Sequence, residues 1–262
     1  MKRVRVDTLL SQRGLFQSRS QAAASVLAGD VLVLPERRRV GKPGELVPED
    51  VELEVTRPPQ FVSRGGIKLA NALDALGVQV LGRLALDVGA STGGFTDCLL
   101  QRGAAHVIAV DVAYGVLDWR LRSHERVTVV ERQNARELTA EGLPYRPDLV
   151  VVDVSFISLS KILPAVLRCA AQSFDCVALI KPQFEVGRER VGKGGVVRDA
   201  GARRRVLVDV GAAARGFGAS VVGYASSGLP GPKGNLETFI WLAEGARDGI
   251  DDLGAAALAA EP

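Results

Sequence analysis

Residues 84–95 read LALDVGASTGGF, and the rest of the chain is organised around them. Leu84, Leu86 and Val88 predict a buried strand with Asp87 near its end, then a glycine-rich turn and a helix beginning near Gly93. In α/β proteins ligands bind where the carboxyl end of a strand meets the next helix. Glycines there let backbone N–H groups come close to a ligand. The spacing Gly89, Gly93, Gly94 is not the dinucleotide G-x-G-x-x-G, and the turn lacks the lysine of a phosphate loop. Taken alone, it serves tight strand-to-helix packing equally well. The next apolar run, HVIAVDV at residues 106–112, carries Asp111, roughly twenty residues after the turn, where an acid grips ribose hydroxyls in nucleoside-binding folds.

A glycine turn opening DVG without the pyrophosphate pattern resembles the S-adenosylmethionine site of Rossmann-like methyltransferases. That resemblance implies Gly89, Ala90, Ser91, Gly94 and Phe95 around the methionine end, Asp111 on the ribose, and Asn134 near the adenine. It also allows Asp153 to touch the cofactor.

Length and composition bound the alternatives. The chain has 262 residues, 47% of them hydrophobic and 24% charged, which suits a folded protein of one large and one small domain. Its formal net charge is only +3, so the distribution of charge matters more than the total. Residues 1–42 hold nine basic groups against three acids. Cys98, Cys169 and Cys176 show no Cys-x-x-Cys spacing, and His106 and His124 lie in no ligand pattern, so neither a disulfide framework nor a metal is expected. Asp7 interrupts the N-terminus where a signal peptide would be apolar, and no run is long enough to span a bilayer. A reduced, cytoplasmic protein is expected.

In the N-terminal part, residues 4–13 predict a short helix ended by Gly14. Ser18-Arg19-Ser20-Gln21 is a capping box opening a second helix that Gly29 stops. Residues 31–34 and the alternation Val51-Glu52-Leu53-Glu54-Val55 predict strands. Arg3, Arg5, Arg13 and Arg19 on the exposed faces suit an RNA-gripping module, although a solvated basic face gives the same pattern. The series R-V-D-T-L-L, G, S-R-S-Q-A, G-D-V-L-V resembles the RNA-binding domain named after ribosomal protein S-four, with Pro35-Glu36-Arg37-Arg38-Arg39 replacing the usual Asn-Gly after the strand. The expected boundaries are 1–56 for this module and 57–62 for a proline-stiffened linker.

From residue 63 strands and helices alternate, the mark of a mostly parallel sheet. Strands are expected at 127–130, 149–152 and 177–180, and a closing antiparallel hairpin at 221–224 and 238–242. The fold class is therefore α/β, a Rossmann-like methyltransferase sheet with an antiparallel edge hairpin over 63–246, preceded by a small α+β domain. Residues 247–262 are expected to form a frayed tail.

Four polar residues stand at element ends that such a sheet brings to one rim. Lys68 follows Ser63-Arg64-Gly65-Gly66 at a helix start, Asp153 closes DLVVVDVSF, Lys181 closes VALIKPQFE, and Glu237 opens the last strand. Lys68 and Glu237 taken singly also read as solvated surface residues. Asp153 and Lys181 end apolar strands, where a charge needs a partner or a task. Together the four resemble the Lys-Asp-Lys-Glu tetrad of RNA ribose 2′-O-methyltransferases. The resemblance implies Lys181 as the base that takes the hydroxyl proton, Lys68 steadying the alkoxide, and Asp153 and Glu237 orienting them, with no metal. A lysine acts as base only where burial or a neighbouring cation favours its neutral form.

The order SRGGIKL, DVGASTGGFTD, DVSFISL, IKPQFE, KGNLE behind an S-four-like module is similar to the TlyA family across nearly the whole chain. That family implies cytidine ribose in ribosomal RNA, within ribosomal subunits, as substrate, and no membrane partner. Its linker departs here, with Arg57-Pro58-Pro59-Gln60 for Arg-Ala-Trp-Val. Gly187-x4-Gly192-Lys193 nearly makes a phosphate loop, but Gly194 stands where Ser/Thr would hold magnesium, so a loop over the site is expected, with Arg188 and Arg64 as further RNA contacts. Three rivals stay open. A base methyltransferase would need Pro-Cys or an Asp/Asn-Pro-Pro-aromatic stretch, and this chain has Asp153-Val154-Ser155-Phe156. A membrane-lytic protein, as the family's haemolysin name suggests, would need a spanning or long basic amphipathic helix. A non-catalytic RNA-binding protein would not need the tetrad.

Overall fold

The computed structural model describes residues 2–16, 18–27, 29–56, 60–192 and 194–261, with the side chain of Arg188 also outside the description. The linker residues 57–59 and Lys193 therefore lie outside the described residues. The chain divides into two compact units, residues 1–63 and 64–262.

The first unit contains β1 (Arg3–Arg5), α1 (Val6–Gln12), α2 (Arg19–Leu27), β2 (Val31–Val33), β3 (Arg38–Arg39), β4 (Leu46–Pro48) and β5 (Leu53–Val55). The predicted helix over 4–13 starts two residues late, because Arg3–Arg5 pair antiparallel with β4, Arg3 opposite Pro48. The capping role of Ser18 is present: its Oγ accepts the Gln21 N–H at 3.2 Å. Val6, Leu9, Leu10, Phe16, Ala22 and Val26 from the helices bury against Val31 and Val33 of β2. This unit is a small α+β body with its own core.

The second unit runs α3 (Arg64–Leu76), β6 (Leu84–Val88), α4 (Gly94–Gln101), β7 (His106–Val110), α5 (Trp119–Arg122), β8 (Val127–Val130), β9 (Leu149–Val152), α6 (Leu163–Cys169), β10 (Asp175–Ile180), α7 (Pro182–Glu185), α8 (Ala200–Gly216), β11 (Ala219–Ser226), β12 (Thr238–Glu244) and α9 (Leu253–Ala260). Its seven strands are ordered β11-β12-β10-β9-β6-β7-β8. β6 to β10 pair in parallel, and β12 inserts antiparallel between β10 and β11. The central strands are apolar on both faces, as a sheet covered by helices on both sides requires: every residue of β9 and β10 is buried. The strand order reverses beside β6, and at that switch point the carboxyl ends of β6 and β9 open toward the site.

The expected frayed tail is corrected. Asp252 caps α9 by accepting the N–H groups of Gly254 and Ala255 at 2.8 and 3.0 Å. Leu253 and Ala257 are buried in the main core, and Glu261 pairs with Arg203 of α8. The alanine-rich composition that reads as a tail is high helix propensity awaiting a surface to pack on.

Candidate active site

Strand register assembles the site. The last ladder pair between β10 and β12 is Ile180 opposite Thr238, so Lys181 and Glu237 stand opposite one another one step beyond it. Val88 of β6 pairs with Val152 of β9, which places Asp153 beside Gly89. Lys181 Nζ is 2.6 Å from Asp153 Oδ1, angled as an ion pair rather than an aligned hydrogen bond, and donates to Ser155 Oγ at 2.9 Å. Lys68 sits on α3 with Nζ 2.5 Å from Glu237 Oε2, and both side chains are buried, 9% and 1% exposed. The four residues expected at one rim are thus two lysine–carboxylate pairs at adjacent strand ends.

The glycine turn wraps against the same rim. Gly89 has φ +84°, and a Cβ there would stand 2.4 Å from the Asp153 carbonyl oxygen. Gly93, at φ +98°, has Leu121 and Leu117 side chains 2.2 and 2.9 Å from where its Cβ would be. No larger residue fits either place without moving backbone or core. Ser91 also takes a left-handed φ of +49°, and its N–H donates to Asp111 Oδ2 at 2.7 Å while the Ala113 N–H donates to Oδ1 at 2.7 Å. Each carboxylate oxygen keeps a lone pair for a further donor. Ala90, Ser91, Asp111, Ala113, Leu117 and Glu131 line a pocket beside this turn. Gly94 begins α4, and the Phe95 ring packs in the core 5.8 Å from that of Phe239, so the Phe95 side chain does not line the pocket. Asn134 likewise lies outside the lining and caps a 3₁₀ turn, its Oδ1 accepting the Arg136 N–H at 3.1 Å.

The sequence marks Asp87 only as the acid near a strand end, and the structure adds its surroundings. Its carboxylate is fully buried, Oδ2 accepts the Thr96 hydroxyl at 2.6 Å, and Oδ1 has no partner. Burial pushes its pKa up to about 7, against the Thr96 hydrogen bond and with the Asp153 and Asp111 charges adding to the rise. An acid inside an otherwise apolar strand was the available signal. Asn235 was passed over in the sequence. Almost fully buried, it donates to Gly195 O at 2.8 Å and accepts the Val197 N–H at 2.9 Å, which ties the segment following the expected loop to the strand start that carries Glu237.

The arginines expected to meet RNA make internal bonds. Arg5 and Arg19 pair with buried Asp7 at 2.7 and 3.1 Å, Arg3 donates to Leu46 O, and Arg13 to Glu49 O and Val51 O. Together Arg5 and Arg19 hold the Asp7 carboxyl well below the usual carboxylate range. Arg64 donates to Pro230 O at 3.0 Å. Among the described residues, no group of three or more His, Cys, Asp or Glu side chains could hold a metal, and no helix is long and apolar enough to cross a membrane.

A glycine cradle, an acid after the second strand and charged strand ends on a sheet with one antiparallel insertion form a pattern shared with known proteins. The family described as FtsJ-like methyltransferase matches residues 61–244. The chain belongs to the FtsJ-like methyltransferase family. Within that family it groups with the TlyA proteins. It is 51% identical, over 92% of its own length and 90% of the relative's, to the 16S/23S rRNA (cytidine-2′-O)-methyltransferase TlyA of Mycobacterium tuberculosis. It is 38% identical, over 89% of its length and 97% of the relative's, to hemolysin A of Brachyspira hyodysenteriae. A solved structure described as a hemolysin from Streptococcus thermophilus superposes with a TM-score of 0.76 at 39% identity, covering 99% of this chain and 96% of that one. In this FtsJ-like chain the two lysine–carboxylate pairs stand at the rim that borders the glycine turn.

Proposed function

We propose that this chain transfers a methyl group from S-adenosylmethionine to the 2′-hydroxyl of cytidine ribose in ribosomal RNA. The observation that carries this reading is the pairing of Lys181 with Asp153 and Lys68 with Glu237 at the rim that borders the glycine turn. The cofactor, when bound, supplies an electrophilic methyl on a positively charged sulfur. The residues present fit such a group: acceptor oxygens on Asp111, with Ala113 and Leu117 as apolar walls.

A ribose hydroxyl is a weak nucleophile at neutral pH and must lose its proton as it attacks. In this reading Lys181 first gives up an ammonium proton to solvent, its neutral Nζ then accepts the hydroxyl proton, and Asp153 and Ser155 fix where Nζ sits. Lys68, aimed by Glu237, steadies the developing alkoxide. Gly89, Ala90, Ser91 and Gly94 hold the methionine end of the cofactor by backbone approach, and Asp111 holds its ribose. Catalysis is otherwise alignment of oxygen, methyl and sulfur. Residues 1–56 act as an S-four-type RNA-binding module joined by 57–62 to a methyltransferase domain over 63–246. The Arg5 and Arg19 side chains, 45% and 58% exposed, stay available to phosphates beside their Asp7 pairing. A ribosomal substrate also makes the cytoplasm the working compartment. The activity named for the Mycobacterium tuberculosis relative and the match to the FtsJ-like family support the same reaction.

The test is tritiated methyl transfer from S-adenosylmethionine to unmodified ribosomal subunits, with nuclease digestion to identify the labelled nucleoside. Label in 2′-O-methylcytidine that disappears with Lys181→Ala is the expected result. Label on a nucleobase overturns the assignment of the lysines.

A further inference from the structure

One half-buried carboxylate beside the four charged residues has no part in the proton transfer. Glu185 closes α7, four residues after Lys181, and its oxygens turn back to the chain that follows β9. Oε1 accepts the Leu159 N–H at 2.8 Å, and Oε2 accepts the Ser158 hydroxyl at 2.6 Å. Burial pushes the Glu185 pKa up, and these two hydrogen bonds pull it the other way. Ser158 in turn accepts the Ser160 N–H at 3.2 Å and so caps a 3₁₀ turn over Leu159–Lys161. Hydrogen bonds to a charged acceptor are roughly twice as strong as neutral ones. The chain after β10 is therefore firmly tied to the chain after β9.

The tie brackets a partner of the proposed base. Residues 153–159 are held at their start by the Asp153 N–H, which donates to Val88 O at 2.9 Å, and at their end by Glu185. Between these anchors Phe156 takes φ +66°, a left-handed backbone that a bulky residue keeps only where its surroundings impose it. Ser155 lies inside the bracket, one residue before the strained position, and its Oγ accepts from Lys181 Nζ at 2.9 Å. The Asp153 carboxylate is 2.6 Å from Nζ but is not aligned as an acceptor. The rotation of the Nζ group is thus set by Ser155.

That rotation matters for proton transfer. A lysine that has given up one of its three ammonium protons keeps two N–H groups and one lone pair on Nζ. With one N–H committed to Ser155 and the other drawn to Asp153, the lone pair is left a single direction. Without Ser155 the amine turns about its Cε–Nζ bond, and the lone pair faces the hydroxyl only part of the time. We infer that Glu185 is a positioning residue: through Ser158 and Leu159 it holds Ser155 where the serine hydroxyl aims the Lys181 lone pair. This inference rests on the ribose-methylation reading and names the group that keeps the base aimed.

The test measures single-turnover methyl transfer to unmodified ribosomal subunits with the full-length protein in saturating excess, and S-adenosylmethionine affinity by calorimetry. Glu185→Ala is expected to lower the transfer rate about 10- to 100-fold, the loss that a displacement approaching 1 Å brings to a reacting group. Glu185→Gln keeps an acceptor for the Leu159 N–H and an amide to donate to Ser158, and is expected to recover most of that loss. Cofactor affinity is expected to match the wild type in both, since the glycine turn lies against the Asp153 backbone rather than Glu185. The double variant Ser155→Ala/Glu185→Ala is expected to be no slower than the slower single one, because both changes remove the same aim. Ser158→Ala removes one hydroxyl only; its rate is expected between wild type and Glu185→Ala, and it decides the matter if Glu185→Ala does not fold. An active wild type matched by Glu185→Ala or by Ser158→Ala overturns the positioning role and leaves the ribose reading intact. So do losses that multiply in the double variant, or a Glu185→Ala protein with weakened cofactor binding. A wild type that labels no ribose overturns that reading and this inference with it.

Discussion

Replacing Glu237 by glutamine isolates the charge of the buried pair. Lys68 Nζ and Glu237 Oε2 are 2.5 Å apart with side chains 9% and 1% exposed, so neither charge has water to turn to. Removing one partner of such a pair costs about 3–5 kcal/mol, because the other charge stays buried without compensation. Glutamine keeps an acceptor oxygen for the ammonium, which puts the expectation near the low end, about 3 kcal/mol. In a unit of this size each kcal/mol moves the midpoint by about 2–4 °C, so Glu237→Gln is expected to lower Tm by about 6–12 °C. Both tryptophans of the chain, Trp119 and Trp241, belong to residues 64–262, and their fluorescence follows that unit alone. The double variant Lys68→Met/Glu237→Leu removes both charges together, and apolar replacement of a buried pair is often neutral. It is expected to melt near the wild type while transferring no methyl groups. A Glu237→Gln protein whose tryptophan transition coincides with the wild type would refute the reasoning that this pair is desolvated. So would a double variant less stable than the single one.

Two further predictions concern groups outside the pairs. The Asp87 pKa, about 7, lies above that of an unfolded carboxyl, so its contribution to stability is fully present below the ordinary carboxylate range and is lost as pH rises to about 7. Asp87→Asn, which stays neutral, is expected to flatten the fall in tryptophan-monitored stability across that interval, and an unchanged slope would contradict it. Leu253→Ala removes a side chain 8% exposed that anchors α9 to the core, at a cost of about 2 kcal/mol, the low end for a leucine truncation. The tryptophan melt should shift down accordingly, whereas a frayed tail would leave it unmoved.

Much of this was legible because the relevant signals are local. Short, largely apolar runs at 84–88, 106–110 and 149–152 fit interior strands, and a charged residue closing such a run lies at the rim where ligands bind. What failed to read was non-local. β1 is three residues whose strand character comes from β4, more than forty residues later, so residues 3–5 look like the start of the helix they precede. The arginines of the first unit are exposed as the sequence predicts, but several also bond backbone carbonyls, and no sequence pattern marks a carbonyl as free. Asp7 was a readable partner, two residues from Arg5. The unpartnered Asp87 oxygen and the left-handed Phe156 are consequences of packing, visible only with the neighbouring strand ends in place.

Asp153 joins the two halves of the proposed chemistry through its own covalent frame. Its N–H donates to Val88 O at 2.9 Å, and its carbonyl lies against Gly89 so closely that a Cβ would stand 2.4 Å away. The side chain of the same residue sits 2.6 Å from Lys181 Nζ. The glycine turn and Lys181 are thus separated by one residue's backbone and one carboxylate, with no loop between them to flex. In-line transfer tolerates little error, since a displacement of about 1 Å can cost about 100-fold in rate. A lysine at the end of β10 gains that precision by being clamped to the strand that also shapes the glycine turn. This is why the acid belongs just past the end of β9, between the two, and why glycine is required across from it just past β6.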